Sequence, residues 1–198
     1  METYKKNFKM TEQKPSTQEL FYMLQQVSGE HCDILGYGMD KIGPQNLIWV
    51  VVRQKLELSS YPQAGEELLI ETWPGPTRHG LFPRHYEIYA SNGELIGTAC
   101  ALWTLVDVES RKMIKPEDYG VELQGVTTGR EKGNPRSPEK LSIENESLFV
   151  VPKEYLDGNG HMNNTCYYKL AEEQIGDAIK GKTVYFAATE CANEALLG

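Results

Sequence analysis

Ser16-Thr17-Gln18-Glu19-Leu20-Phe21-Tyr22-Met23-Leu24-Gln25-Gln26-Val27 reads as the entrance and first turns of a buried helix. Ser16 with Glu19 three residues later is a capping box: the hydroxyl covers a free amide and the carboxylate reaches back. Leu20, Met23, Leu24 and Val27 then recur at helical spacing, and Phe21 widens the stripe. Upstream, Pro15 separates this helix from a short strand expected within Met1–Met10, which carries Tyr4 and Phe8. Downstream, Gly36 and Gly38 end the segment.

From Leu47 the period changes to two. Leu47-Ile48-Trp49-Val50-Val51-Val52 is β-branched and aromatic, and Arg53, Lys55 and Glu57 carry the alternation on towards a wetter edge. Tyr61–Gly65 is a turn, Glu67–Trp73 a second strand, and Leu81–Ala90 a third with Phe82, Tyr86 and Ile88 on one face. Asn92-Gly93 predicts a tight hairpin with positive φ at both positions. Leu95–Val108 returns as a fourth strand, with small residues Gly97, Ala99 and Ala101 where packing must be close. One helix followed by four antiparallel strands is most simply buried by curling the sheet around the helix.

Lys115–Glu146 has Pro116, Pro135 and Pro138, four glycines and little periodicity, and reads as a linker between domains, with a surface excursion within a single domain as the alternative. Leu148–Val151 then predicts a short strand. Tyr167, Leu170, Ala171, Ile175, Ala178 and Ile179 line one face of a second helix, and Val184–Thr189 forms a strand. The order strand, polar loop, helix, strand thus occurs twice. The division is 1–115, linker 116–146, and 147–198. By the logic of the repeat the second unit lacks roughly 40 residues of strand. Such a unit must lean on the first one, on another chain or on a missing C-terminal piece, and its open sheet edges favour self-association, including a homodimer.

Composition narrows the function classes. A net charge of −8 disfavours nonspecific nucleic-acid binding. No apolar run approaches the roughly 18–20 residues of a membrane span. Cys32, Cys100, Cys166 and Cys191 are widely spaced, which argues against a zinc site or a disulfide framework and for reduced thiols in a cytoplasmic protein. No metal or other cofactor is expected. His31, His79 and His85 have no context that marks them as catalytic, and Trp49, Trp73 and Trp103 read as core.

Chemistry concentrates in Asp157-Gly158-Asn159-Gly160-His161-Met162-Asn163-Asn164, just before the second helix. Asp, Gly and Asn are turn formers, so such a run is often only a loop. Here it also carries a histidine able to titrate near neutral pH. Asp157 and Asn159 alternate with His161 and so face one side of an extended loop. Asn163 or Asn164 is a good N-cap, which sets a helix N-terminus beside His161. The free amides and positive dipole end there suit a carbonyl oxygen gaining charge.

The chain resembles the acyl-acyl carrier protein thioesterases of bacteria and plant plastids. Four stretches carry the likeness: Tyr61-Pro62 with Gly65; Thr72-Trp73-Pro74; Tyr86–Tyr89 through Asn92–Ile96 to Trp103; and the full Asp-x-Asn-x-His-x-Asn-Asn signature of Asp157–Asn164. The resemblance implies an α+β tandem hotdog, each half a long helix wrapped by a curved antiparallel sheet, with the second half incomplete. It implies that Asp157, Asn159 and His161 are catalytic, with a fourth group on the following strand. Glu190 stands there as the water-activating base, and the adjacent Cys191 is the alternative as nucleophile. Asn163 and Asn164 would contact the substrate, and Leu20, Met23, Leu24 and Val27 would border an acyl tunnel in the first half. The implied reaction is hydrolysis of acyl-acyl carrier protein to free fatty acid. The alternatives are acyl-coenzyme A hydrolysis and a non-catalytic acyl-binding or assembly subunit. Acyl carrier protein is acidic, so docking needs a basic patch. Arg111–Lys115, Arg130 with Lys132, and Lys180–Lys182 are the candidates.

Overall fold

The structure is a computed structural model that describes residues 3–11, 15–136, 149–158, 160–175 and 184–187. The first helix, α1, spans Thr17–Ile34. Its capping box is formed as read: the Glu19 amide donates to Ser16 Oγ at 3.1 Å, and the Ser16 amide donates to the Glu19 carboxylate at 2.6 Å. Leu20, Phe21, Leu24 and Val27 are buried, and so is a second group, Ser28, His31 and Cys32, that continues the face towards the C-terminal end. The short helix α2, Met39–Ile42, follows.

The strands are β1 Tyr4–Lys9, β2 Leu47–Leu58, β3 Glu67–Pro74, β4 Phe82–Tyr89, β5 Leu95–Asp107, β6 Lys112–Met113 and β7 Val184–Ala187. They form one sheet in the order β1-β3-β4-β5-β2-β7, with β6 paired to β5. Every pairing is antiparallel. The sheet curls around α1 as expected for a hotdog. Val51 and Leu56 of β2, Leu68 and Ile70 of β3, Tyr86 and Ile88 of β4, and Ala99 and Ala101 of β5 share one core cluster with the helix. Sequence neighbours are not always sheet neighbours: β2 pairs with β5, not β3, and so flanks the far side.

Two local expectations are corrected. Asn92 does not adopt positive φ; only Gly93 does, at 82°. The Gly93 amide donates to Ala90 O and the Ala90 amide to Glu94 O, both at 2.9 Å. This is a three-residue loop closed by a left-handed glycine, rather than a two-residue turn. A tight two-residue turn instead falls at His79-Gly80, with φ of 52° and 72° and reciprocal backbone bonds between Arg78 and Leu81.

The described part of the expected linker, 116–136, starts on the core-facing side of the sheet and continues over its outer face. Val121 and Leu123 are buried in a second cluster with Ile42, Leu47, Phe82 and Leu105. The Val126 amide donates to Pro74 O at 2.8 Å. Gly125 sits so close to the backbone of Gly75 that a Cβ there would lie 2.0 Å from the Gly75 carbonyl carbon. Arg130 reaches both Glu71 and Glu87, which face each other across β3 and β4. This strap, with α1 on the other side, explains why nearly all of β4 is buried despite its polar residues.

In the second unit the expected strand at Leu148–Val151 is not formed over its described residues, 149–151. Phe149 and Val150 are exposed, and their β propensity finds no partner strand among the described residues. The second helix, α3, spans Cys166–Ile175. The strand β7 pairs with β2 through Arg53↔Ala187 to Leu56↔Val184, so the second unit extends the sheet of the first. Among the described residues no helix is long and apolar enough to cross a membrane.

Candidate active site and acyl cavity

The Asp157–Asn164 stretch forms a folded loop entering α3. Its base is a bridge between Leu156 and Met162. The Asp157 amide donates to His161 O at 2.7 Å, the His161 amide donates to Asp157 Oδ1 at 3.2 Å, and the Gly160 amide to Asp157 O at 3.0 Å. Asp157 thus holds the loop through backbone and carboxylate together. Asp157 is half-buried and His161 is exposed. The Asn163 amide donates to Tyr155 O at 2.8 Å, and Asn163 Oδ1 accepts from both the amide and the hydroxyl of Thr165, at 2.9 and 2.8 Å. The asparagine therefore caps the turn that leads into α3, which fits its reading as an N-cap.

Asn164 is tied elsewhere. Its Oδ1 accepts from Gln54 Nε2 at 3.3 Å, and Gln54 is a buried residue of β2. Gln54 is also the register partner of Phe186 in β7. One residue of the first unit therefore meets both the loop and the strand that leads on to Glu190 in sequence. Asn159, Glu190 and Cys191 lie outside the described residues.

The helix behind the loop is anchored to α1. Phe21 and Tyr168 stack with centroids 3.8 Å apart and planes at 11°. Glu172 accepts from the Thr17 amide at 3.0 Å and from its hydroxyl. A carboxylate from α3 thus caps the first turn of α1, where the helix dipole favours negative charge. Gln18 donates to Cys166 Sγ at 3.3 Å. These contacts fix the N-terminal end of α3, and with it the peptide dipoles that face the loop.

A cavity of about 240 Å³ lies farther along α1, between its C-terminal half and the sheet. Gln25, Ser28, Gly29 and Cys32 supply the helical wall, and Trp49, Phe82, Arg84 and Trp103 face them. Leu20, Met23, Leu24 and Val27, expected at an acyl tunnel, pack in the core cluster and are not among its lining residues. The cavity-lining stripe 25, 28, 29, 32 has helical periodicity of its own, displaced around the helix from the apolar stripe. Trp49 and Trp103, read as core, line the cavity as well.

Sequence reasoning also passed over Arg84 and His31. Both are buried, and Arg84 Nη1 meets His31 Nδ1 at 2.8 Å. Burial pushes the Arg84 guanidinium below its usual range. Next to them Tyr86 Oη and Ser28 Oγ are 2.6 Å apart, while Ser28 donates to Leu24 O at 2.7 Å, so Tyr86 donates to Ser28. Burial pushes Tyr86 up to about 12 and the Cys32 thiol up to about 11. A thiol so raised is a poor nucleophile. The signal was present in the sequence: Arg84 has the same strand parity as Phe82, Tyr86 and Ile88, a cation on the core-facing side of β4. Among the described residues no group of His, Cys, Asp and Glu is arranged to hold a metal ion.

Arg130 is not a free docking cation, because it is committed to Glu71 and Glu87. Arg111 and Lys112 are exposed. Lys180 and Lys182 lie outside the described residues.

Comparison with known proteins agrees with this fold. Residues 2–122 match the family described as the acyl-ACP thioesterase N-terminal domain. A palmitoyl-acyl carrier protein thioesterase of Gossypium hirsutum is 26% identical over 171 residues, covering 79% of this chain and 41% of that protein. Oleoyl-acyl carrier protein thioesterase 1 of Arabidopsis thaliana is 27% identical over 176 residues, covering 79% and 49%. The chain thus spans about two fifths to one half of the curated relatives it matches. Among solved structures, the 12:0-ACP thioesterase of Umbellularia californica superposes with a TM-score of 0.75 at 19% identity, over 94% of this chain and 77% of that one. An acyl-ACP thioesterase of Bacteroides thetaiotaomicron gives 0.72 at 18%, over 94% and 81%. The fold is shared with these structures, and the family match covers more than half of the 198 residues: the chain belongs to the acyl-ACP thioesterase family.

Proposed function

We propose that this protein hydrolyses the thioester of acyl-acyl carrier protein and so releases free fatty acid. The observation that carries the reading is the His161 loop set at the N-terminal end of α3, in a chain whose family is that of acyl-ACP thioesterases. In this reading the substrate carbonyl lies at that helix end, where developing negative charge is stabilised by the dipole. His161 and Asn159 place the water and the thioester, Glu190 takes the proton from the water, and Asp157 holds the loop. Attack breaks the carbon–sulfur bond, and the proton passes to the departing thiolate. The acyl chain runs along α1. Asn163 and Asn164 hold the site through the Thr165 turn and Gln54.

The partner is acyl carrier protein, and the exposed Arg111, Lys112, Lys115 and Lys132 of the proposed basic patches form no ion pair among the described residues. A cytoplasmic setting rests on Cys32, Cys100 and Cys166, which are free buried thiols. The division into 1–115, 116–146 and 147–198 is kept in functional terms: most of the cavity wall in the first part, the strap in the described residues 116–136, and the catalytic loop in the last.

The test is hydrolysis of acyl-acyl carrier protein and acyl-coenzyme A thioesters by the parent protein and by His161→Ala. The expected result is turnover of the carrier-protein thioester that falls by at least about 100-fold in the variant. His161 is exposed, so the variant should keep the parent's thermal stability. Equal rates in both proteins would refute the assignment of His161. A folded parent that binds acyl chains and turns over neither thioester supports the acyl-binding alternative.

A further inference from the structure

The cavity beside α1 is mostly apolar, yet it has a cation in its wall. Arg84 is 5% exposed, lines the cavity, and has His31 Nδ1 as its hydrogen-bond partner. His31 accepts there and brings no negative charge. Among the described residues no carboxylate lies within ion-pair distance of the guanidinium. Arginine stays charged in proteins, and an uncompensated buried charge is costly. The sequence had a simple way to avoid this cost, since an apolar residue at position 84 would complete the face of Phe82, Tyr86 and Ile88. A hydrocarbon tail alone would leave the cation facing methylenes. An acceptor oxygen on the ligand would pair with it.

Position along the helix says which part of a ligand meets Arg84. Gln18, which touches α3, and the cavity residues Ser28 and Cys32 are 10 and 14 positions apart, or about 15–21 Å along the axis. A thioester held at the start of α3 would therefore present the distal part of its acyl chain to Arg84. This step rests on the proposed reaction.

We propose that Arg84 makes the cavity a subsite for acyl chains that carry an acceptor oxygen near their distal end, with a terminal carboxylate as the best match and a terminal hydroxyl as the weaker one. The guanidinium donates to that oxygen, Ser28 and Cys32 flank it, and Trp49, Phe82 and Trp103 hold the methylenes. A carboxylate gains a charge-assisted bond in an apolar wall, whereas a hydroxyl gains a single weaker one.

Binding can be measured apart from catalysis, because Trp49 and Trp103 line the cavity and report by fluorescence. The probes are dodecanedioic acid monomethyl ester, methyl 12-hydroxydodecanoate and methyl dodecanoate, titrated into the parent, Arg84→Gln, Arg84→Lys and His161→Ala. The half ester should bind at least about tenfold more tightly than methyl dodecanoate to the parent, as one charge-assisted bond predicts, with the hydroxy ester between them. The preference should vanish in Arg84→Gln, persist in part in Arg84→Lys, and persist fully in His161→Ala. Circular dichroism on Arg84→Gln separates lost preference from lost fold, and Arg84→Lys serves if that variant does not fold. Equal affinity of the parent for all three probes overturns the proposal, and so does tighter binding of methyl dodecanoate. If the preference is present but no thioester is hydrolysed, the subsite stands and the proposed reaction fails. If hydrolysis proceeds without the preference, the reverse holds.

Discussion

Arg130→Met would test how the strap is held to the sheet. Glu71 and Glu87 are opposite each other on β3 and β4 and are 4% and 5% exposed. Directly opposed like charges destabilise a strand pair. Arg130 spans both, with bonds of 3.0 Å to each oxygen of Glu71 and a further bond to Glu87, and its guanidinium lies 4.5 Å from the Trp73 ring. Tyr89 donates to Glu87 at 2.6 Å. Lys5, 3.4 Å from Glu71, is largely exposed and compensates little. Removing one member of a buried ion pair costs about 3–5 kcal/mol. The Arg130 side chain is 37% exposed, so screening lowers this to about 2–3 kcal/mol at pH 7. For a chain of this size that is a fall in Tm of about 4–12 °C.

The pH dependence gives a sharper criterion than the magnitude. The hydrogen bond from Arg130 is the main reason that the Glu71 carboxyl lies below its ordinary value; burial opposes it. A group depressed in the folded state contributes stability above its unfolded pKa of about 4.3, and that contribution is lost as pH falls through the folded value. The parent should therefore lose stability on acidification below about pH 4.3. Without Arg130, burial acts on Glu71 with only the weaker, exposed Lys5 and a hydrogen bond from Thr3 to oppose it. The variant should then gain stability relative to the parent as pH falls from 7 to 5. Urea unfolding at pH 7 and pH 5 reads both quantities. Adding Glu71→Gln to Arg130→Met should recover part of the loss at pH 7. A variant within about 0.5 kcal/mol of the parent at pH 7, or one that declines in parallel with it on acidification, would refute the reasoning.

Two further perturbations address other joints. Phe21→Ala removes a fully buried ring stacked on Tyr168 and should cost about 3–5 kcal/mol, with α3 and the Asp157–Asn164 loop losing amide-exchange protection before β4 does. Uniform loss across the chain would count against a local docking role. Gly125→Ala sets a Cβ against the Gly75 backbone, which cannot give way as a side-chain tip can. It should lift the strap and raise the accessibility of Cys100 to thiol reagents, since that thiol is buried under the outer face near Asn134; unchanged labelling would show that the strap is held without close contact at this point.

The elements were legible where local physics decides them. The capping box at Ser16–Glu19, the spacing Leu20–Leu24–Val27 and the alternation in β2 to β5 each specify helix or strand within a few residues. The polar loop before α3 was legible for the same reason, since Asn163 caps its turn by a contact only two residues long. Errors arose where the outcome depends on partners distant in the chain. Phe149–Val151 has strand residues but no strand to pair with among the described residues. Residues 116–136 look like a linker because their order comes from Gly75, Pro74, Glu71 and Glu87, not from internal periodicity. Asn92-Gly93 was assigned the tighter turn, yet strand register there favours the three-residue loop.

The sequence by itself determined the secondary elements, the curled sheet around α1 and the family signature, because period, caps and motif spacing are short-range properties. Only the tertiary structure decided that β2 lies between β5 and β7, that Gln54 meets Asn164, and that Arg84 faces an apolar cavity beside His31. Each of these depends on which surfaces come together between residues far apart in the chain. Strand alternation assigns Arg84 to a face of β4; only the packing of α1 on that face makes it a buried cation.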